Sequence, residues 1–192
     1  VNSINTNMFY LSGIMINGDP RSKGHIDFFA GENAETFDEK KLLDNYKKLD
    51  HYDFQGTTWA PHLIHKEIWN KVGGFSEEFS PGTGSDPDLN MKLWKLGVRI
   101  FKGLSKSKVY HFGSIVTRNK ENKYSSKTET GSKGNKIFLL KWKTSIKFFK
   151  KHYLRSNERY SGPLSEPKKN LTYYIDLIKC KISLLYLLII KK

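Results

Sequence analysis

Two carboxylates, Asp86 and Asp88, stand two positions apart in the segment Gly82-Thr83-Gly84-Ser85-Asp86-Pro87-Asp88. A positioned carboxylate takes the proton of a nucleophilic hydroxyl when the site orients both partners and adjusts its pKa. Asp86 is therefore the candidate general base, and Gly82 and Gly84 let backbone lie close to a bulky polar acceptor. The same residues also read as a plain helix start. In that reading Asp86 is the cap, Pro87 takes the first helical position and Asp88 favours the positive end of the helix dipole. His111, further along, either serves the structure or offers a neutral ring nitrogen to a divalent metal. His62 and His65 lack the Cys partners or HExxH context of a zinc site.

The elements that must hold these groups read as an α/β order. Residues 8–16 are apolar enough for a buried strand, ended by the turn signals Asn17-Gly18-Asp19-Pro20. Residues 21–31 have no period and predict a loop, and 39–49 predict a helix with Leu42, Leu43, Tyr46 and Leu49 on one side. Residues 53–61 read as an extended approach, 62–65 as a strand, and 66–72 as a short helix stopped by Gly73-Gly74. Beyond the acidic segment, Leu89, Leu93 and Leu96 share a helix face and Gly97 is the expected exit residue. Residues 98–101 and 108–111 predict two short strands bracketing a turn.

The chain has 192 residues, 38% of them hydrophobic and 14% aromatic, which excludes a disordered polymer. Its single cysteine, Cys180, excludes an intramolecular disulfide and a CxxC half-site. Residues 1–116 carry 14 basic and 14 acidic side chains, whereas 117–192 carry 19 and 5 and hold the whole net charge of +14. That segregation assigns the specific site to the first segment and an electrostatic or docking role to the second. Residues 117–136 are expected to form a flexible basic loop and 137–153 a single helix. A further loop follows over 155–169. In the last helix Leu171, Ile175, Ile178, Ile182, Leu185 and Ile189 alternate spacings of four and three, giving one apolar stripe. Its three readings are packing within the protein or an oligomer, lying on an anionic membrane, and spanning one. Asp176, Lys179 and Lys181 make spanning expensive.

The order of motifs resembles the distal half of a family 2, GT-A type glycosyltransferase. The resemblance runs from Ile64-His65-Lys66-Glu67-Ile68-Trp69-Asn70-Lys71-Val72-Gly73-Gly74-Phe75, through Ser85-Asp86-Pro87-Asp88-Leu89 with Leu93 and Gly97, to His111. Lys141-Trp142-Lys143 resembles a segment often found after that family's catalytic core. The resemblance implies an incomplete GT-A-like α/β domain over 1–116, with a basic helical C-terminal extension over 137–192. It implies inversion at the anomeric carbon of a nucleotide sugar, with Asp86 as the base. Ser85 stands where the family commonly has a Glu. Asp88, Gly84, Ser85 and Trp59 would shape the acceptor side, and His111 would help hold Mn²⁺ or Mg²⁺ on the diphosphate. Such enzymes place a nucleotide-binding half with an Asp-x-Asp motif before this region. The residues before Gly56 are too short for that half, so an upstream segment or partner chain is expected to supply it.

The expected partners are a nucleotide-sugar donor, a carbohydrate, lipid-linked or protein acceptor, and a membrane surface touched through 171–192. The N-terminal residues lack the order of a secretory signal, and the expected location is the cytoplasm at the membrane face. Two other readings stand beside this one. One is a noncatalytic carbohydrate-binding or structural subunit; the other is a basic module for nucleic acid or an anionic membrane surface. No nucleic-acid motif accompanies the lysines.

Overall fold

The computed structural model describes residues 6–18, 24–80, 82–112, 127–156 and 158–190, with 127–132 and 190 described by backbone alone. The expected turn at Asp19-Pro20 and the part of the expected loop over 117–126 lie outside these residues.

The chain folds as mixed α/β around a central strand, β1 (Phe9–Asn17), of which only Met15 is not fully buried. A strand covered on both faces is apolar almost throughout, which is why its sequence does not alternate. Along one edge β1 pairs in parallel with β5 (Ile100–Tyr110). Along the other it pairs antiparallel with β4 (His62–Ile64) over Tyr10–Ser12, then in parallel with β2 (His25–Asp27) over Met15–Asn17. β3 (Phe54–Gln55) lies antiparallel on the far side of β5.

Two expectations change here. β2 falls inside the stretch expected to be loop, because three residues are too few to show a period. The two strands expected around a turn are one strand, β5. Its register jumps from Gly13↔Leu104 to Ile14↔Lys108, so the extra residues form a bulge while both halves stay paired with β1. Asp53 secures the bulge by accepting from Ser105 N and Ser105 Oγ, each at 2.9 Å.

Helices pack against the sheet through two hydrophobic clusters. Tyr10 and Phe101 pack with Ile68 of α2 (Lys66–Val72) and with Leu89, Leu93 and Trp94 of α3 (Ser85–Leu96). Ile14, Ile16, Ile26, Phe54 and Trp59 form a second cluster, on which Leu42 and Tyr46 of α1 (Glu39–Tyr46) pack. The expected α2 is matched at both ends, with Gly73 closing it at φ 70°.

The C-terminal part departs most from expectation. α4 (Lys127–Trp142) begins inside the expected loop, and the helix expected over 137–153 is broken. Lys143 takes φ 60°, and Ser145 caps a new start by accepting from Phe148 N at 3.0 Å. The segment α5 (Ile146–Phe148) then runs into a π-helical turn, Phe149–Tyr153. Phe138, Phe149, Leu154 and Leu164 join the cluster of Tyr10 and Leu89, so this extension completes that core. Burying each phenylalanine contributes about 1.5–3 kcal/mol.

Residues 158–164 return to the sheet. Glu158 O accepts from Gln55 N at 3.0 Å, Tyr160 N donates to Asp53 O at 2.7 Å, and Arg159 bridges antiparallel to Phe54. Leu164 N donates to Arg99 O at 2.8 Å. The last helix, α6 (Leu171–Ile190), packs on α4 and α5 through Tyr173, Leu177, Cys180, Leu184 and Leu187. The stripe read from sequence lies on its opposite side, exposed.

Candidate active site

Gly84, not Asp86, caps α3. It sits at φ 91°, a backbone conformation that costs a residue with a Cβ about 1–2 kcal/mol, and no side chain caps the helix. Ser85 holds the preceding turn closed, its Oγ donating to Gly82 O at 2.6 Å. The expected cap at Asp86 is therefore corrected: Asp86 lies inside the first turn, and its carboxylate is free of capping duty. It makes no side-chain hydrogen bond or ion pair among the described residues.

Burial pushes the Asp86 carboxyl up to about 6, against the opposing pull of the Lys150 ammonium. Lys150, from the π-helical turn, is itself lowered by burial and raised by Asp86. Tyr10 is the third member of the group. Burial and the Asp86 charge hold its phenol well above the usual tyrosine range, and its hydroxyl donates to Trp59 O at 3.1 Å. His62, whose pKa burial lowers, stacks on Tyr10 with ring centroids 5.3 Å apart.

Asp88 points the other way. It is 0% exposed and surrounded by Ser76 Oγ at 2.7 Å, Trp142 Nε1 at 2.7 Å, Lys141 Nζ at 3.0 Å and Lys92 Nζ at 3.8 Å. It offers no open face to an acceptor. Instead it ties the start of α3 to the end of α4, joining two of the sequence motifs. α4 also crosses the acidic loop at Gly134, where a Cβ would run into the Thr83 carbonyl.

Gly84, Ser85 and Asp86 therefore share one loop and helix start, with Asp88 turned into the core beneath. Trp59 is not part of this group. Its ring is 8% exposed in the second cluster, and its indole N–H donates to Gly13 O at 2.9 Å. His111 lies at the carboxyl end of β5, its backbone N donating to Ile16 O at 2.9 Å and its Nδ1 3.5 Å from Asn17 Nδ2. With Asn17 and Asp27 it marks the carboxyl ends of three parallel strands, where open α/β sheets commonly bind ligands. Among the described residues, no three His, Cys, Asp or Glu side chains form a group that could hold a metal ion. The described donors alone do not make a metal site.

No family model, curated protein or solved structure matches this chain. Its function must be argued from its own chemistry. Lys150 and Tyr10 escaped sequence reasoning because neither has a local signature. The signal for Lys150 was faint: it follows Phe148-Phe149, two adjacent core residues that an ordinary helix face does not bury together. The π turn lets them enter different clusters.

Proposed function

We propose that this chain forms the acceptor side of an inverting glycosyltransferase. Asp86 takes the proton of an acceptor hydroxyl as that oxygen bonds to the anomeric carbon of a nucleotide sugar. The bond to the nucleoside diphosphate breaks in the same displacement, and the diphosphate leaves with the electron pair. The observation that carries the reading is the Asp86 carboxylate itself: without a side-chain hydrogen bond or ion pair among the described residues, at a helix start, and raised to about 6 where a base can work near neutral pH. The motif order that resembles family 2, GT-A type enzymes supports it, and Asp88, linking two of those motifs, positions the loop.

Donor binding falls to a nucleotide-binding segment upstream or on a partner chain. His111 would give one ligand to Mn²⁺ or Mg²⁺ there, the others coming from that segment, and no step is assigned to the ion.

The test is nucleoside diphosphate release from a panel of nucleotide sugars, with the coding region upstream of Val1 included. Asp86→Asn should lower turnover at least about 10²-fold with donor affinity retained. Near-wild-type turnover by a folded Asp86→Asn protein overturns the assignment. Sugar binding without turnover in the complete protein supports the noncatalytic reading instead.

A further inference from the structure

α6 carries two apolar stripes, and only one is used. Tyr173, Leu177, Cys180, Leu184 and Leu187 follow spacings of four and three and face α4 and α5. Leu171, Ile175, Ile178, Ile182, Leu185 and Ile189 follow the same spacings on the opposite side, with Ile178 58% and Ile182 63% exposed. Over 20 residues the helix is about 30 Å long, and an apolar band of that length is more than a monomer's surface normally leaves uncovered.

We propose that this outer stripe docks on an anionic lipid bilayer, with α6 lying in the plane of the interface. This inference stands apart from the transfer reading. Charge selects the occupant. At about 100° per residue, Lys179 and Lys181 fall on opposite borders of the stripe, where their stems cover apolar surface and their ammonium groups reach phosphate headgroups. The only acidic residue of α6, Asp176, lies on the inner side, bonded to Lys151 at 2.6 Å and His152 at 3.0 Å. Asp176 also lies 3.7 Å from Lys179 but already serves Lys151 and His152, and Lys181 has no carboxylate beside it among the described residues, so pairing two copies of the stripe would bring lysine borders together with little to offset them.

A second basic feature meets the same border. A cavity of about 1210 Å³ between α4, α5 and α6 is lined, among the described residues, by Lys136, Lys147, Lys150, Lys151 and Lys179 against two acids, Glu158 and Asp176. Lys179 belongs to both features, so the lysine-lined cavity adjoins the apolar band. Among the described residues no helix is long and apolar enough to cross a membrane, and the inner face of α6 is already engaged by protein. Lying flat on lipid covers the outer stripe without undoing that packing.

The test is co-sedimentation of the full chain with phosphatidylglycerol-containing vesicles and with phosphatidylcholine vesicles. Binding should favour the anionic vesicles. The bound fraction should fall on the order of tenfold for Lys179→Ala/Lys181→Ala and about tenfold or more for Ile178→Glu/Ile182→Glu. Because those isoleucines are exposed, an unchanged thermal midpoint should accompany the loss. Equal binding to both vesicle types, or full binding by the glutamate variant, overturns the proposal. So does a stable dimer in sedimentation velocity that the glutamate variant abolishes, which would assign the stripe to a second copy. Turnover plays no part in this readout, so its failure and that of the transfer reading are distinguishable.

Discussion

The Trp142 indole donates to Asp88 Oδ1 at 2.7 Å across 54 residues of sequence, and on this contact the start of α3 and the end of α4 are fastened together. Lys141 reinforces it at 3.0 Å from the same oxygen. The carboxylate is fully buried, so removing it takes the acceptor from the part-buried Trp142 indole and Ser76 hydroxyl, while Lys141 keeps Glu78 at 2.7 Å.

Asp88→Ala should therefore cost about 1.5–3 kcal/mol in chemical denaturation, the range for losing hydrogen bonds to a charged group. Trp142→Phe should cost about 1.5–3 kcal/mol. The double variant should fall short of the sum by about 1 kcal/mol or more, because the two residues share one interaction. Strict additivity would show that they do not.

Asp86→Asn should stabilise the fold while lowering the proposed transfer. The folded carboxyl titrates at about 6 against an ordinary 3.8, so the folded state binds this proton more tightly than the unfolded chain. That contribution is fully present below pH 3.8 and is lost as pH rises through 6. Above it, holding the ionised group buried costs up to about 3 kcal/mol. The variant should gain about 1–3 kcal/mol at pH 7.5, with the gain shrinking towards pH 4. Urea midpoints across that range read it directly. A constant difference would show that Asp86 titrates normally.

For transfer, kcat/KM should rise with pH through the Asp86 titration near 6. Lys150 holds that carboxyl down, so Lys150→Met should move the rising limb to higher pH. A limb that stays in place, in a folded variant that still turns over, would separate Lys150 from the base.

Gly134→Ala reverses a common rule. Alanine in a helix interior normally stabilises by up to about 1 kcal/mol over glycine. Here the added methyl meets the Thr83 carbonyl, and a loss of about 1–3 kcal/mol is expected. Thermal melts decide the sign.

How far the fold is legible in the sequence depends on whether a feature is local. The helix from Lys66 to Val72 and its stop at Gly73 follow from an apolar face and a left-handed exit within a few residues, and both are seen. The unity of β5 is not local, since it depends on pairing with β1, which precedes it by some ninety residues. Asp86 is legible from its neighbours, but Lys150 and Tyr10 reach it only through the fold. The outer stripe of α6 was visible as a period. Its direction was not, because an equally regular stripe of Tyr173, Leu177, Cys180, Leu184 and Leu187 competes for the same core.

The segment of residues 158–164 that returns to the sheet, a strap over β3, bears on aggregation. β3 lies on the flank of β5, and a bare strand there would offer its amide groups to any passing chain. The hydrogen bonds from Gln55 to Glu158 and from Tyr160 to Asp53 occupy those positions. β2, on the opposite flank, is only three residues long, too short a template for stable strand addition. Loss of the strap, by proteolysis or by a proline at Tyr160, would expose β3 and favour sheet extension between molecules at concentrations where the intact chain stays dispersed.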